Sequence, residues 1–152
     1  MVATVANGRS GNLSLDLYAG TGLFSLPLAR KFKRVMAVES APASFSDLRA
    51  NAPDNVESVC STTEEFLRKP SQQSKHPDYV VVDPPRAGLG EKVAGSLAKI
   101  GSTAICYVSC DPSTLARDLR VLIENGYRVE SIHLFDLFPQ TFHIETIVQL
   151  VR

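Results

Sequence analysis

The chain has 152 residues, with 16 basic and 16 acidic side chains and 44% hydrophobic residues, the size and mix of one ordinary globular domain able to build its own core. It holds no apolar run of about 18 residues, and its polar start lacks the apolar stretch of a secretory leader, so neither a membrane-spanning helix nor a signal peptide is expected. A net charge of zero argues against a stand-alone nucleic-acid binder but does not exclude RNA as a substrate gripped by another domain.

Strand and helix signals alternate with little slack. Leu13 to Tyr18 reads as a strand ending at Ala19-Gly20-Thr21-Gly22. Leu23 to Lys33 places apolar residues at Leu23, Leu26, Ala29 and Phe32, a helical stripe. Val35 to Val38 is a short strand that stops at Glu39. Pro42 suits a first helical position, and the segment to Asn51 reads as a helix. Val56 to Cys60 is the third strand, and Thr62 or Thr63 can cap the short helix containing Phe66 and Leu67. Lys69 to Pro77 is a polar loop.

Tyr79 to Val82 has the composition of a strand buried on both faces. It ends at Asp83-Pro84-Pro85, because proline can neither extend the ladder nor let its predecessor turn helical. Glu91 to Ile100 is a helix, Thr103 to Val108 a fifth strand, and Pro112 or Ser113 opens a helix through Leu115, Leu119, Leu122 and Ile123 that stops at Asn125-Gly126. Tyr127 to Leu134 and Ile144 to Val151 are the last strands, joined without a helix through Phe135 to Phe142. Five βα units followed by a β-β end predict an α/β fold of the class I methyltransferase type. Its sheet would be seven-stranded and mostly parallel, with an antiparallel final hairpin at the edge and helices on both faces.

Cys60, Cys106 and Cys110 form no Cys-x-x-Cys pair and no zinc spacing, so free thiols in a reducing, cytoplasmic setting and no metal are expected. Cys60 and Cys106 read as buried small hydrophobes. Cys110 stands apart: it ends a strand immediately before a helix N-terminus, the place of a nucleophile in a ligand cleft.

In such sheets ligands bind beyond the C-terminal strand ends. Gly20 and Gly22 allow a sharp turn and close approach, and Glu39, at the end of the second strand, can accept hydrogen bonds from both hydroxyls of a ribose, as in NAD or S-adenosylmethionine sites. Ser25 stands where a dinucleotide motif has its third glycine, which weakens the pyrophosphate reading, and Asp16 adds an acidic group at the first strand. Asp83 sits at a rigid strand tip near any adenosine ligand. Asp-Pro-Pro followed by an aromatic marks amino-methylating enzymes, but Arg86 takes the place of the stacking ring. Glu145 is a carboxylate in an otherwise apolar strand, costly to bury unless hydrogen-bonded and suited to proton abstraction. His143 reads as a scaffold residue.

Taken together, the run from Asp16 to Ala29 (DLYAGTGLFSLPLA), Asp83-Pro84-Pro85-Arg86-Ala87-Gly88, the run from Tyr107 to Asp118 (YVSCDPSTLARD) and the run from Phe138 to Glu145 (FPQTFHIE) resemble the catalytic domain of RNA uracil-C5 methyltransferases. These enzymes form 5-methyluridine in tRNA or rRNA. The resemblance implies S-adenosyl-L-methionine as cofactor and an RNA substrate. It matches Cys110 to the nucleophile that adds to uracil C6 and Glu145 to the base that removes the C5 proton. It also matches Tyr18, Glu39, Thr62 and Asp83 to cofactor contacts, with Gly20 and Gly22 shaping the pocket.

Two features of the family find no match here: an upstream Phe-x-Gln-x-Asn segment that contacts the cofactor, and an N-terminal RNA-binding barrel. The expectation is a catalytic core whose RNA grip lies in other domains. The rival readings are an amino-group methyltransferase using Asp83-Pro84-Pro85, an NAD-binding domain and a non-catalytic adenosyl-binding module. The chain is predicted to fold alone, to bind S-adenosylhomocysteine but not NADH in calorimetry, and to turn over uridine-containing RNA poorly. Robust methylation by this chain alone would contradict the missing-grip expectation.

Overall fold

Tyr79, Val80, Val81 and Val82 run without a polar break, and a strand of that kind has to be covered on both sides. In the computed structural model, which describes residues 1–6, 8–69, 71, 75–137, 139–140 and 144–152, Tyr79–Val82 is β4, the central strand of a seven-stranded sheet. The other strands are β1 (Gly11–Leu17), β2 (Phe32–Glu39), β3 (Val56–Cys60), β5 (Ala104–Ser109), β6 (Arg128–Phe135) and β7 (Glu145–Val151). Their order is β3-β2-β1-β4-β5-β7-β6. β7 runs antiparallel to both β5 and β6, and the other described pairs are parallel. The expected final hairpin is present, with β7 inserted beside β5 and β6 left as the outer strand.

Strand periodicity splits the core in two. Leu15, Leu17, Val80, Val82, Ile105, Tyr107, Val148 and Leu150 face one side. There they meet α4 (Thr63–Arg68), α5 (Gly90–Lys99) and α6 (Pro112–Glu124) through Phe66, Leu67, Leu97 and Leu122. On the other side Val35, Ala37, Val81, Cys106 and Ile147 meet α1 (Val2–Ala6), α2 (Ser25–Ala29) and α3 (Pro42–Asn51) through Val5, Leu28 and Leu48. The polar start therefore holds a short helix that the sequence pattern did not signal. The Tyr79 hydroxyl donates to the Val5 carbonyl and lies 3.0 Å from the Gln149 side-chain amide, and Arg9 pairs with Glu130.

Three expectations are corrected. The Leu23–Lys33 helix shrinks to the five residues of α2. Gly11 pairs with Phe32, so β2 has to begin early and the glycine turn uses up most of the connection. Phe24 and Leu28 take the buried positions, while Leu23 and Leu26 are 53% and 40% exposed. Cys60 is exposed rather than buried, because β3 is an outer strand and its last residue has no neighbour beyond it; Cys106, in the middle of β5, is buried as expected. On α6 the inward stripe is Leu115, Asp118 and Leu122, and Ile123 points to solvent.

Leu97 is fully buried between α5 and the sheet. Leu97→Ala is predicted to cost about 2–5 kcal/mol, from lost transfer energy plus the cavity left behind, read as a lower urea midpoint with an unchanged m-value.

Candidate active site

Parallel pairing aligns the C-terminal strand ends on one edge. Leu17 lies opposite both Val38 and Val82, and Val82 opposite Tyr107, so Tyr18, Glu39 and Asp83 leave the sheet side by side. Ser109 pairs with Thr146 across the antiparallel β5–β7 ladder. Continued by one residue, that register sets Cys110 opposite Glu145, whose charge reaches Asp83.

The chain reverses sharply after β1. Tyr18 has φ 63°, a left-handed conformation costly for a bulky side chain. Gly20 (φ 56°) and Gly22 (φ 98°) complete the turn. A Cβ on Gly22 would stand 3.1 Å from Leu48 Cδ1, whereas a Cβ on Gly20 would meet nothing within 4 Å, so the loop is open on that side. Glu39 steadies the turn: its Oε2 accepts from Gly20 N–H at 2.8 Å and its Oε1 from Ala41 N–H at 2.6 Å. Each oxygen keeps a second lone pair for a ligand hydroxyl.

Asp16 lies beneath this turn, fully buried. The Ser25 hydroxyl donates to its Oδ2 at 2.5 Å, and Oδ1 has no partner among the described residues. Burial, opposed by the Ser25 bond and reinforced by the charges of Asp83 and Glu39, lifts its pKa from 3.8 to about 7. Asp83 is raised to about 6, mainly by burial and then by the charge of Glu145. Acidic groups with raised pKa values beside an open glycine turn, one of them buried with an unsatisfied oxygen, are a marker of a binding site.

Cys110 is half-buried. The N–H groups at the start of α6 are not turned to its sulfur. Asp111 caps them, its Oδ1 accepting from Ser113 N–H at 2.9 Å and Thr114 N–H at 3.0 Å, and these bonds, led by that from the Ser113 hydroxyl, hold its carboxyl below the usual range. The sequence reading missed this cap, although an aspartate directly before Pro112 is a recognised helix start. Thr62 spends its hydroxyl likewise, accepting from Glu65 N–H at 3.2 Å to cap α4.

Asp118 also escaped notice as a site residue. The signal was an acid on the apolar stripe of α6, and its carboxylate accepts from Leu89 and Gly90 N–H in the loop that follows Asp83. His143, Phe138 and Phe142 lie outside the described residues. Among the described residues no group of three His, Cys, Asp or Glu could hold a metal ion, and no helix is long and apolar enough to cross a membrane. Two open grooves, of about 420 Å³ beside Arg9, Glu130 and Gln149 and about 480 Å³ beside Glu91 and Lys92, lie away from this edge.

A sheet of this order, with a glycine turn after β1 and acidic groups on successive strand ends, defines a class I methyltransferase domain. The same fold occurs in precorrin-6y C5,15-methyltransferase of Geobacter metallireducens, at 17% identity and a TM-score of 0.75, covering 99% of this chain and 85% of that one. The tRNA (uracil-5-)-methyltransferase family model matches residues 1–152, and the chain belongs to that family. An uncharacterized RNA methyltransferase of Thermotoga maritima is 44% identical over 148 residues, 95% of this chain and 33% of the relative. The crystal structure of Pyrococcus abyssi tRNA (uracil-54, C5)-methyltransferase, in complex with S-adenosyl-L-homocysteine, is 33% identical with a TM-score of 0.82. It is covered over 99% of this chain and 37% of its own. The chain thus spans about a third of the length of the curated relatives it matches.

The raised acids set a pH dependence. Folded Asp16 keeps its proton up to about pH 7 but sheds it near 3.8 when unfolded, and Asp83 behaves likewise up to about 6. Between those limits the native state binds more protons than the unfolded one, so these two groups make stability fall as pH rises. Asp16→Asn is predicted to remove the larger part of that fall, on the order of 3 kcal/mol for a shift of this size. Urea unfolding at pH 4, 5, 6 and 7 measures it; an unchanged slope in the variant would contradict the assignment.

Proposed function

We propose that this chain is the catalytic core of an enzyme that moves a methyl group from S-adenosyl-L-methionine to C5 of a uridine in RNA, with Cys110 as nucleophile and Glu145 as base. The observation that carries the reading is the β5–β7 register, which brings these two residues, distant in sequence, to one strand edge beside Asp83. The family membership supports the same reaction, and so does the P. abyssi structure, described as a tRNA (uracil-54, C5)-methyltransferase. The RNA, tRNA or rRNA, is gripped mainly by parts outside this span, in keeping with the chain's zero net charge.

The residues present fit the cofactor. The open side of Gly20 and the free lone pairs of Glu39 are what an adenosyl amino acid would fill, with Tyr18 and Asp83 beside them, Gly22 shaping the turn and Asp16 buried beneath it. Thr62 is the weaker assignment, because its hydroxyl already caps α4. When bound, the cofactor supplies an electrophilic methyl on a positively charged sulfur.

Uracil C5 is too weak a nucleophile to take that methyl directly. Attack of the Cys110 thiolate forms an S–C6 bond and pushes the C5–C6 π electrons toward O4, which makes C5 enolate-like. C5 then bonds to the methyl group, whose former C–S electrons stay on sulfur and leave S-adenosylhomocysteine neutral. Glu145 accepts the C5 proton, the C5–C6 double bond re-forms, and the S–C6 electrons return to Cys110. General-base removal of that proton is worth about 10²–10⁴-fold in rate.

RNA carrying 5-fluorouridine tests this, since fluorine takes the place of the proton the base removes. With S-adenosylmethionine present, the chain is expected to form a denaturation-resistant adduct located at Cys110 by peptide mass. Cys110→Ala is expected to form none, and Glu145→Gln to accumulate the adduct on ordinary uridine RNA as well. An adduct that persists in Cys110→Ala would overturn the mechanism.

A further inference from the structure

The loop that leaves Asp83 and the helix that follows Cys110 are tied together by one buried carboxylate. Asp118 is fully buried on α6. Its Oδ2 accepts from Leu89 N–H at 2.6 Å and from the Tyr107 hydroxyl at 2.7 Å. Its Oδ1 accepts from Gly90 N–H at 3.1 Å and Arg117 Nε–H at 3.0 Å. Two further ties run beside it: the Thr114 hydroxyl donates to the Arg86 carbonyl at 3.0 Å, and Arg117 Nη2 to the Ala87 carbonyl at 2.8 Å. Gly88 passes so close that a Cβ there would stand 2.5 Å from Asp118 Oδ2.

A buried charge is costly unless every lone pair is used, and an apolar residue on this inward stripe would have packed without that cost. What the carboxylate gains is placement. Two of its four donors are backbone amides where the loop enters α5, Leu89 and Gly90, and one is a hydroxyl on β5, the strand that Cys110 follows. With Pro84 and Pro85 stiffening the near end, the loop is held at both ends, and its crest, Pro85 to Ala87, is exposed next to the nucleophile.

We infer that Asp118 is a positioning residue for the uridine reaction: by pinning Leu89 and Gly90 to the helix behind Cys110, it sets the exposed Pro85–Ala87 crest where the RNA around the target base must pass. This rests on the reading of Cys110 as the uridine nucleophile. Among the described residues Asp118 makes no hydrogen bond to the glycine turn or to Glu39 and reaches Tyr18 only through its charge, so its effect should separate from cofactor binding.

The test compares the full chain with Asp118→Asn, which puts an amide N–H₂ against donors that need an acceptor, and with Gly88→Ala, which keeps the carboxylate and displaces the loop. Both are checked for folding by circular dichroism. S-adenosylhomocysteine affinity is expected to stay within about twofold. The rate of adduct formation on 5-fluorouridine RNA is expected to fall about tenfold or more, as small misplacements of reacting groups do. Should Asp118→Asn fail to fold, Gly88→Ala carries the comparison. An unchanged adduct rate, or a cofactor affinity that falls in step with it, overturns the positioning role. If the unsubstituted chain forms no adduct even at saturating RNA, the uridine reading fails and this role with it, whereas an adduct indifferent to both variants removes this role alone.

Discussion

The pairing of β1 with β4, two strands hidden from water on both faces, is the constraint on which the chemistry of this molecule depends. Once Leu17 lies opposite Val82, Tyr18 and Asp83 have to leave the sheet at the same edge. Parallel pairing on either side repeats the effect, bringing Glu39 and then the end of β5 to that edge. A one-residue slip of any of these strands would turn its buried face outward and carry the reactive residue away from its partners. The apolar packing that stabilises the sheet is therefore also what aligns the site.

The antiparallel β7 adds the element a wholly parallel sheet could not. Running against β5, it begins where β5 ends, so the register that pairs Ser109 with Thr146 leads Glu145, its first residue, toward the side of Cys110. Crossover helices supply the other strand ends with loops, and each loop does a different task. The turn after β1 opens toward a ligand. The loop after β4 is stiffened by two prolines and bound to α6. The end of β5 runs straight into the capped start of that helix. Cys110, Glu145 and the loop are thus held by rigid elements, as a preorganised site requires.

Electrostatics at this edge run against stability. Asp16 and Asp83 are held away from water and near other acids, so the fold keeps carboxyl groups neutral that an unfolded chain would ionise. The cost is concentrated where a charged or hydrogen-bonding ligand would relieve it. Asp118 shows the opposite solution: buried just as deeply, it has every oxygen occupied.

Much of the fold was legible in the chain itself. Val56–Cys60, Tyr79–Val82 and Pro42–Asn51 have the bounds their composition and punctuation predict, because turn residues and apolar period act locally. The glycine turn, the two prolines after Asp83 and the Ser109-Cys110-Asp111-Pro112 junction mark the strand ends for the same reason. Local signals failed where a distant partner decides. The Leu23–Phe32 stripe is helical in spacing, yet Gly11 claims Phe32 for a strand. Cys60 has the chemistry of a core residue but ends an outer strand. Asp118 looks like a break in an apolar stripe until the backbone amides of Leu89 and Gly90 are seen to need it. The sequence by itself determined which residues could do chemistry and which segments would carry them, since residue type and period are written in the chain. Only the tertiary structure decided that Cys110, Glu145 and Asp83 share one edge, because that depends on the register and direction of strands far apart in sequence.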